Sequence, residues 1–144
     1  MALKFNVFTG NFDIDNDGAA TIIDAATKLK IQRIANEDIL AGEVLRAVSS
    51  TAVGLATGDS TKEQAQVIGI AENNALATET VDVILLGVVT DADFAIFSVN
   101  DQLFLDVDGA ITNVKRTSGF HVPVGVALGG SDILFERTQP TVIA

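Results

Sequence analysis

Apolar runs in this chain are short, rich in β-branched residues and closely spaced. They include "AQVIGIA" (65 to 71), "TVDVILLGVV" (80 to 89), "VPVGVAL" (122 to 128) and "DILFE" (132 to 136). Runs of this length, separated by turn residues, fit strands better than helices, which need ten or more residues of 3.6-residue periodicity. In "TKLKIQRIA" (27 to 35), Leu29, Ile31 and Arg33 alternate with Lys28, Lys30, Gln32 and Ile34, which predicts a half-buried strand. "VLRAVSS" (44 to 50) reads as another strand. In "QLFLDVDGAITNV" (102 to 114), Asp108-Gly109 supplies the two central residues of a hairpin turn. The fold class expected is mainly β, a compact β-sandwich or β-barrel of short antiparallel strands with an extended N-terminal arm. The division expected is an arm and acidic turn over residues 1–24 and a β domain over 25–144.

Two helical alternatives compete locally. "IIDAATKLKIQRIANEDIL" (22 to 40) lacks Gly and Pro, but its apolar stripe breaks at Arg33. "STKEQAQ" (60 to 66) has Ser60 and Glu63 at capping-box spacing, which allows a short connecting helix. A glycine recurs between branched or small residues in "VGLA" (53 to 56), "IGIA" (68 to 71) and "VGVA" (124 to 127). In a strand such a glycine removes a side chain and admits a neighbouring backbone.

Charge and composition narrow the function classes. Nine Lys+Arg stand against nineteen Asp+Glu, a net charge of -10, with no basic cluster beyond Lys115-Arg116. A nucleic-acid binder concentrates positive charge to displace counterions, so direct DNA or RNA binding is not expected. The longest apolar stretch, "VILLGVV", is far too short to span a bilayer, and the expectation is a protein without a membrane role, made in a cytoplasm. Yet 48% of residues are hydrophobic and the mean hydropathy is +0.38. Such an excess fits either a small domain with fully buried strands or a chain that buries part of its apolar surface against other subunits.

Catalytic signatures are missing. There is no cysteine, and the single histidine, His121, sits in the apolar "GFHVPVG", which suits a structural role better than a general base. No G-x-S-x-G, P-loop or G-x-G-x-x-G occurs. Carboxylate pairs such as Asp91/Asp93 and Asp106/Asp108 come without a pocket signal. The chain reads as a non-enzyme with no cofactor and no catalytic residues. "DIDNDGAATIID" places Asp13, Asp15, Asp17, Gly18, Thr21 and Asp24 at positions 1, 3, 5, 6, 9 and 12 of a calcium loop, similar to the loop of dockerin modules. A dockerin carries two such loops and this chain has one, so the loop reads as a solvated acidic turn and no metal is assigned. A calcium-dependent binding module is the alternative of another class. Such modules stack sugars on Trp or Tyr, and both are absent.

The segment "LKFNVFTGNFDI" (3 to 14) resembles the opening of small structural proteins of tailed bacteriophages, with Asn6, Phe8, Thr9 and Gly10 matching and Val7 standing where proline is common. "ILAGEVLRAV", "VIGIA" and "VILLGVV" resemble the strands of capsid decoration (cement) proteins. The stretch from Asp101 to Glu136 resembles the closing strands of the same proteins and of head-fibre proteins. What the resemblance implies is a virion component, often a homotrimer, that binds the major capsid protein on the outside of the shell. A head-fibre or tail-associated adhesion component is the second reading. It also implies a capsid-anchoring arm formed by Phe5, Asn6, Phe8, Thr9, Gly10 and Phe12, whose three aromatic residues are suited to seat as anchors on a neighbour.

Overall fold

The computed structural model describes residues 28–143, so the arm, its anchoring residues Phe5 to Phe12 and the acidic loop Asp13 to Asp24 lie outside the described residues. The described chain is nearly all β. Its strands are β1 (Lys28–Ala35), β2 (Val44–Ala47), β3 (Ala52–Leu55), β4 (Val67–Ala71), β5 (Thr80–Thr90), β6 (Gln102–Leu105), β7 (Ile111–Thr112), β8 (Phe120–His121), β9 (Pro123–Gly129), β10 (Asp132–Phe135) and β11 (Thr141–Val142). A five-residue 3-10 helix, Ala92–Ile96, follows β5. The helical alternative over 22 to 40 is overturned from Lys28 onward, because those residues form β1. At 60 to 66 there is only one turn, in which the Ala65 N–H reaches the Thr61 carbonyl. Thr61, rather than Ser60, caps it by accepting from the Gln64 N–H at 3.3 Å.

Strands β1, β3, β2, β4 and β5 close on themselves, since β5 pairs with β4 and also with β1. The result is a five-stranded barrel, which removes sheet edges that would otherwise offer unpaired N–H and C=O groups. The expectation of antiparallel strands holds except at one place: β1 and β3 run parallel, with Ile34 opposite Ala52 and Ala35 opposite Val53. The 16 residues between those pairings leave room for β2, which makes antiparallel pairing with β3 inside the same connection.

Strand β5 is long enough to leave the barrel. Gly87 is opposite Lys28 on one edge and Phe135 on the other. Past this point β5 joins an extension in which β10, β9, β6 and β7 follow in order. The hairpin of β6 and β7 forms as expected, with Asp108 at φ 50° and Gly109 at φ 80°, the left-handed values that a two-residue hairpin turn demands.

The two halves of the strand alternation feed two cores. Leu45, Val53, Ala71, Val81 and Val83 fill the barrel together with Ala35, Ile39 and Ala75. Their neighbours Val44, Ile70 and Ile84 point the other way and pack beneath the extension with Leu103, Leu105, Val124, Ile133 and Phe135. Strands covered on both faces explain why "VIGIA" and "TVDVILLGVV" are apolar almost throughout. The recurring glycines serve close packing: a Cβ on Gly69 would collide with the Ile84 carbonyl, and one on Gly125 with the Leu134 carbonyl. At Gly54 the neighbour is a side chain, the Glu37 carboxylate, which accepts from the Leu55 N–H at 3.0 Å.

The barrel is built from two related halves. The segment "ANEDILAGE" (35 to 43) links β1 to β2, and "AENNALATE" (71 to 79) links β4 to β5. Their hydrogen bonds correspond reciprocally. Ile39 and Ala75 exchange backbone bonds at 2.8 and 2.9 Å. The Ala41 N–H donates to Asn74 Oδ1 at 2.8 Å, and the Ala77 N–H donates to Asp38 Oδ1 at 3.0 Å. Glu43 Oε1 accepts from the Leu40 N–H, as Glu79 Oε1 does from the Leu76 N–H. This is a local two-fold relationship between two strand-loop-strand units, with each loop closing over the other's.

Candidate interaction surface

Two backbone irregularities shape one mouth of the barrel. In the β1/β5 ladder the register steps from Leu29 opposite Leu86 to Lys30 opposite Ile84, which leaves Leu85 unpaired. In the β2/β4 ladder it steps from Leu45 opposite Gly69 to Arg46 opposite Val67, which leaves Ile68 unpaired. These are β-bulges, devices that re-aim a side chain. Both unpaired residues line the same cleft of about 540 Å³, with Ile31, Ala47, Ser49, Ser50, Arg33 and Arg137. The cleft thus has an apolar floor and two guanidinium groups. Arg33 donates to the neighbouring Gln32 carbonyl at 2.8 Å, and among the described residues neither arginine is paired with a carboxylate.

On β1, Leu29, Ile31 and Arg33 alternate on one face, as the sequence predicts, so the cleft runs on to Leu29 and the sheet beyond. There Leu29 is opposite Leu86, Val88 is opposite Leu134, and Leu134 is also opposite Val126. Leu29, Leu86 and Leu134 are 58%, 50% and 44% exposed, and Val88 and Val126 are half-buried. This apolar band crosses four strands, with Asp132, two residues from Leu134 on the same face of β10, at its margin, on a chain of net charge -10. An apolar band of that extent on an acidic protein marks a surface meant to be covered.

The opposite face of β1 is polar and held down. Lys28 and Lys30 both bond to Glu72, Lys30 at 2.7 Å. Burial pushes the Glu72 carboxyl up, but the two lysine hydrogen bonds and charges outweigh it, and the group lies below the ordinary glutamate range. The hydrogen bond to Glu72 raises Lys30 in turn. Asp101 is also held low, by hydrogen bonds from the Asn113 side chain and the Ser98 N–H.

The residues singled out for chemistry do not converge. His121, on β8, rests its ring 5.1 Å from that of Phe104, and its Nδ1 is buried without a hydrogen-bond partner among the described residues. It packs as a structural residue, but it is not a satisfied one. Asp91 caps the 3-10 helix by accepting from the Asp93 N–H, and Asp106 pairs with Arg116 at 2.8 Å. Among the described residues no three His, Asp or Glu side chains cluster as a metal site, and no helix is long and apolar enough to cross a membrane. The cleft and band were not found from sequence because bulges leave no clear letter pattern; the alternation of Leu29, Ile31 and Arg33 was the available signal.

No protein-family model matches the chain, and no curated protein does. Among solved structures, the chain is similar to the N base of the head fibre gp8.5 of bacteriophage phi29. That likeness covers 81% of this chain and 98% of that one, with a TM-score of 0.43 and 13% identity.

Proposed function

We propose that this chain is a bacteriophage virion structural protein that binds the outside of the capsid and decorates or cements it, as a homotrimer and without enzymatic activity. The observation that carries the reading is the apolar band of Leu29, Leu86, Val88, Leu134 and Val126 on an acidic protein. Like-charged copies repel over most of their surface, and association is least opposed where carboxylates are absent. Burying a fully exposed leucine side chain is worth about 1.5–3 kcal/mol, and these are about half exposed, so the band supplies part of a subunit contact. The band would then hold the copies together, while the arm with Phe5, Asn6, Phe8, Thr9, Gly10 and Phe12 reaches the major capsid protein. A cement protein binds the assembled shell and not its separate parts, and stabilises it by mass action.

The test is co-sedimentation of the purified protein with empty shells of its phage, full-length and with residues 1–12 deleted. The full-length protein is expected to pellet at a fixed ratio to the capsid protein and the deleted form to stay in the supernatant with an unchanged circular dichroism spectrum. Normal pelleting of the folded, deleted form would refute the anchor. Failure of the full-length protein to pellet would refute the decoration role.

A further inference from the structure

We propose that the arginine-flanked mouth of the barrel is the docking site for this chain's own acidic segment, residues 13–17. The cleft offers an apolar floor of Ile31, Ala47, Ile68 and Leu85 between Arg33 and Arg137. Two guanidinium groups without a carboxylate among the described residues, in a chain so rich in carboxylates, define a receptor for an acidic partner with apolar side chains. The segment "DIDND" has that chemistry. It carries Asp13, Asp15 and Asp17, no cation, and Ile14 interleaved with the first carboxylates. In an extended chain, alternate residues face opposite ways, so Asp13, Asp15 and Asp17 would share one side and Ile14 the other.

Reach favours the same chain as donor. From Lys28 to Arg33 is five residues of strand, about 17 Å at roughly 3.3 Å per residue. The ten residues 18–27 span up to about 33–36 Å when extended, enough to turn back along β1. A tether of this length gives an effective concentration on the order of millimolar, which a second copy in dilute solution does not match. The docked segment would fix where the arm leaves the barrel. This inference does not depend on the virion reading.

The chain has no cysteine, so a pair of introduced cysteines reports proximity without background. Asn16→Cys leaves every carboxylate of the segment in place, and Ser50→Cys sits on the exposed turn that lines the cleft. In the full-length protein, N16C/S50C is expected to oxidise to a within-chain disulfide at least tenfold faster than N16C/S118C, whose second cysteine lies on a loop outside the cleft. Adding Arg33→Glu and Arg137→Glu is expected to abolish that difference while circular dichroism stays native. Arg33→Gln with Arg137→Gln serves where charge reversal impairs folding. Equal oxidation rates for the two pairs would overturn the proposal. A fast bond that joins two chains would assign the cleft to a second copy instead, and a fast bond indifferent to the arginines would remove the charge recognition.

Discussion

Thr78 stands where Gly42 stands in the other half of the barrel. Both take a left-handed backbone, at φ 77° and 90°, and each donates its N–H at 2.8 Å, Thr78 to the Ala35 carbonyl and Gly42 to the Ala71 carbonyl. The geometry of the two-fold loop is therefore kept in both halves, but only one half has the residue that adopts it without strain. A β-branched side chain at positive φ is disfavoured by roughly 1–2 kcal/mol.

Thr78→Gly is expected to stabilise the protein. Relief of the left-handed strain exceeds the added flexibility of the unfolded chain, which costs roughly 0.5–1 kcal/mol, so a gain of about 0.5–1 kcal/mol is expected by urea denaturation. The reciprocal Gly42→Thr is expected to lose more than 1 kcal/mol, since its Cβ would also press on the Asp91 carboxyl carbon at 3.0 Å. A destabilised Thr78→Gly would mean that the threonine side chain contributes something the loop geometry does not explain.

Gly69→Ala and Gly125→Ala are expected to be among the most damaging small substitutions in the chain. In each, the new methyl meets a backbone carbonyl of the adjacent strand, which cannot move without breaking the ladder. A loss of about 3 kcal/mol or more is expected for each, with Gly54→Ala milder because the Glu37 side chain can swing away. Comparison of the three denaturation midpoints decides the order.

The Glu72 pairing gives a pH dependence with a definite sign. Its folded value lies below the ordinary glutamate range, so its contribution is present above the unfolded value and is lost as pH falls through the folded one. Glu72→Gln is expected to lower stability slightly at neutral pH, by less than about 1 kcal/mol for such a solvent-screened cluster, and to flatten the decline below about pH 4.5. Thermal melts of both proteins between pH 3 and 7 check it: parallel curves would mean that the Lys28 and Lys30 contacts carry no linkage. Lys30, raised by the same contact, keeps its contribution below the ordinary lysine range and loses it only as pH rises through its folded value.

If the band joins copies as proposed, Leu86→Lys with Leu134→Lys is expected to yield monomers by light scattering. Both side chains are about half exposed, so the isolated subunit should keep its fold, with a change within about 1 kcal/mol in the monomer. An unchanged solution mass would show that the band does not join copies.

Most strands were legible because they are rich in branched residues and bounded by turn residues, and the Asp108-Gly109 hairpin was legible because only certain residues accept its backbone; β3, β8 and β11, of two to four residues each, offered no such run. Closure was not. Whether β5 meets β1 depends on pairings between residues some fifty positions apart, such as Gln32 with Asp82, and nothing local encodes them. The parallel pairing of β1 with β3 was hidden for the same reason. The internal two-fold was present in letters, as "ILAGE" and "ALATE", but the functional identities are dispersed: Asp38 answers Asn74 because both offer a side-chain oxygen, not because they match. The candidate site was half legible. Leu29, Ile31 and Arg33 were placed on one face, while Ile68 and Leu85 reach the cleft through bulges, and Arg137 comes from an irregular segment after β10.

Strand β5 is common property of the barrel and the extension, with Val81 and Val83 inside one core and Ile84 and Val89 inside the other. Neither core can be opened while the other stays shut, because the same backbone is wall to both. Among the described residues a protease therefore meets one cooperative unit, and the slowest amides to exchange should lie where β5 crosses from one core to the other.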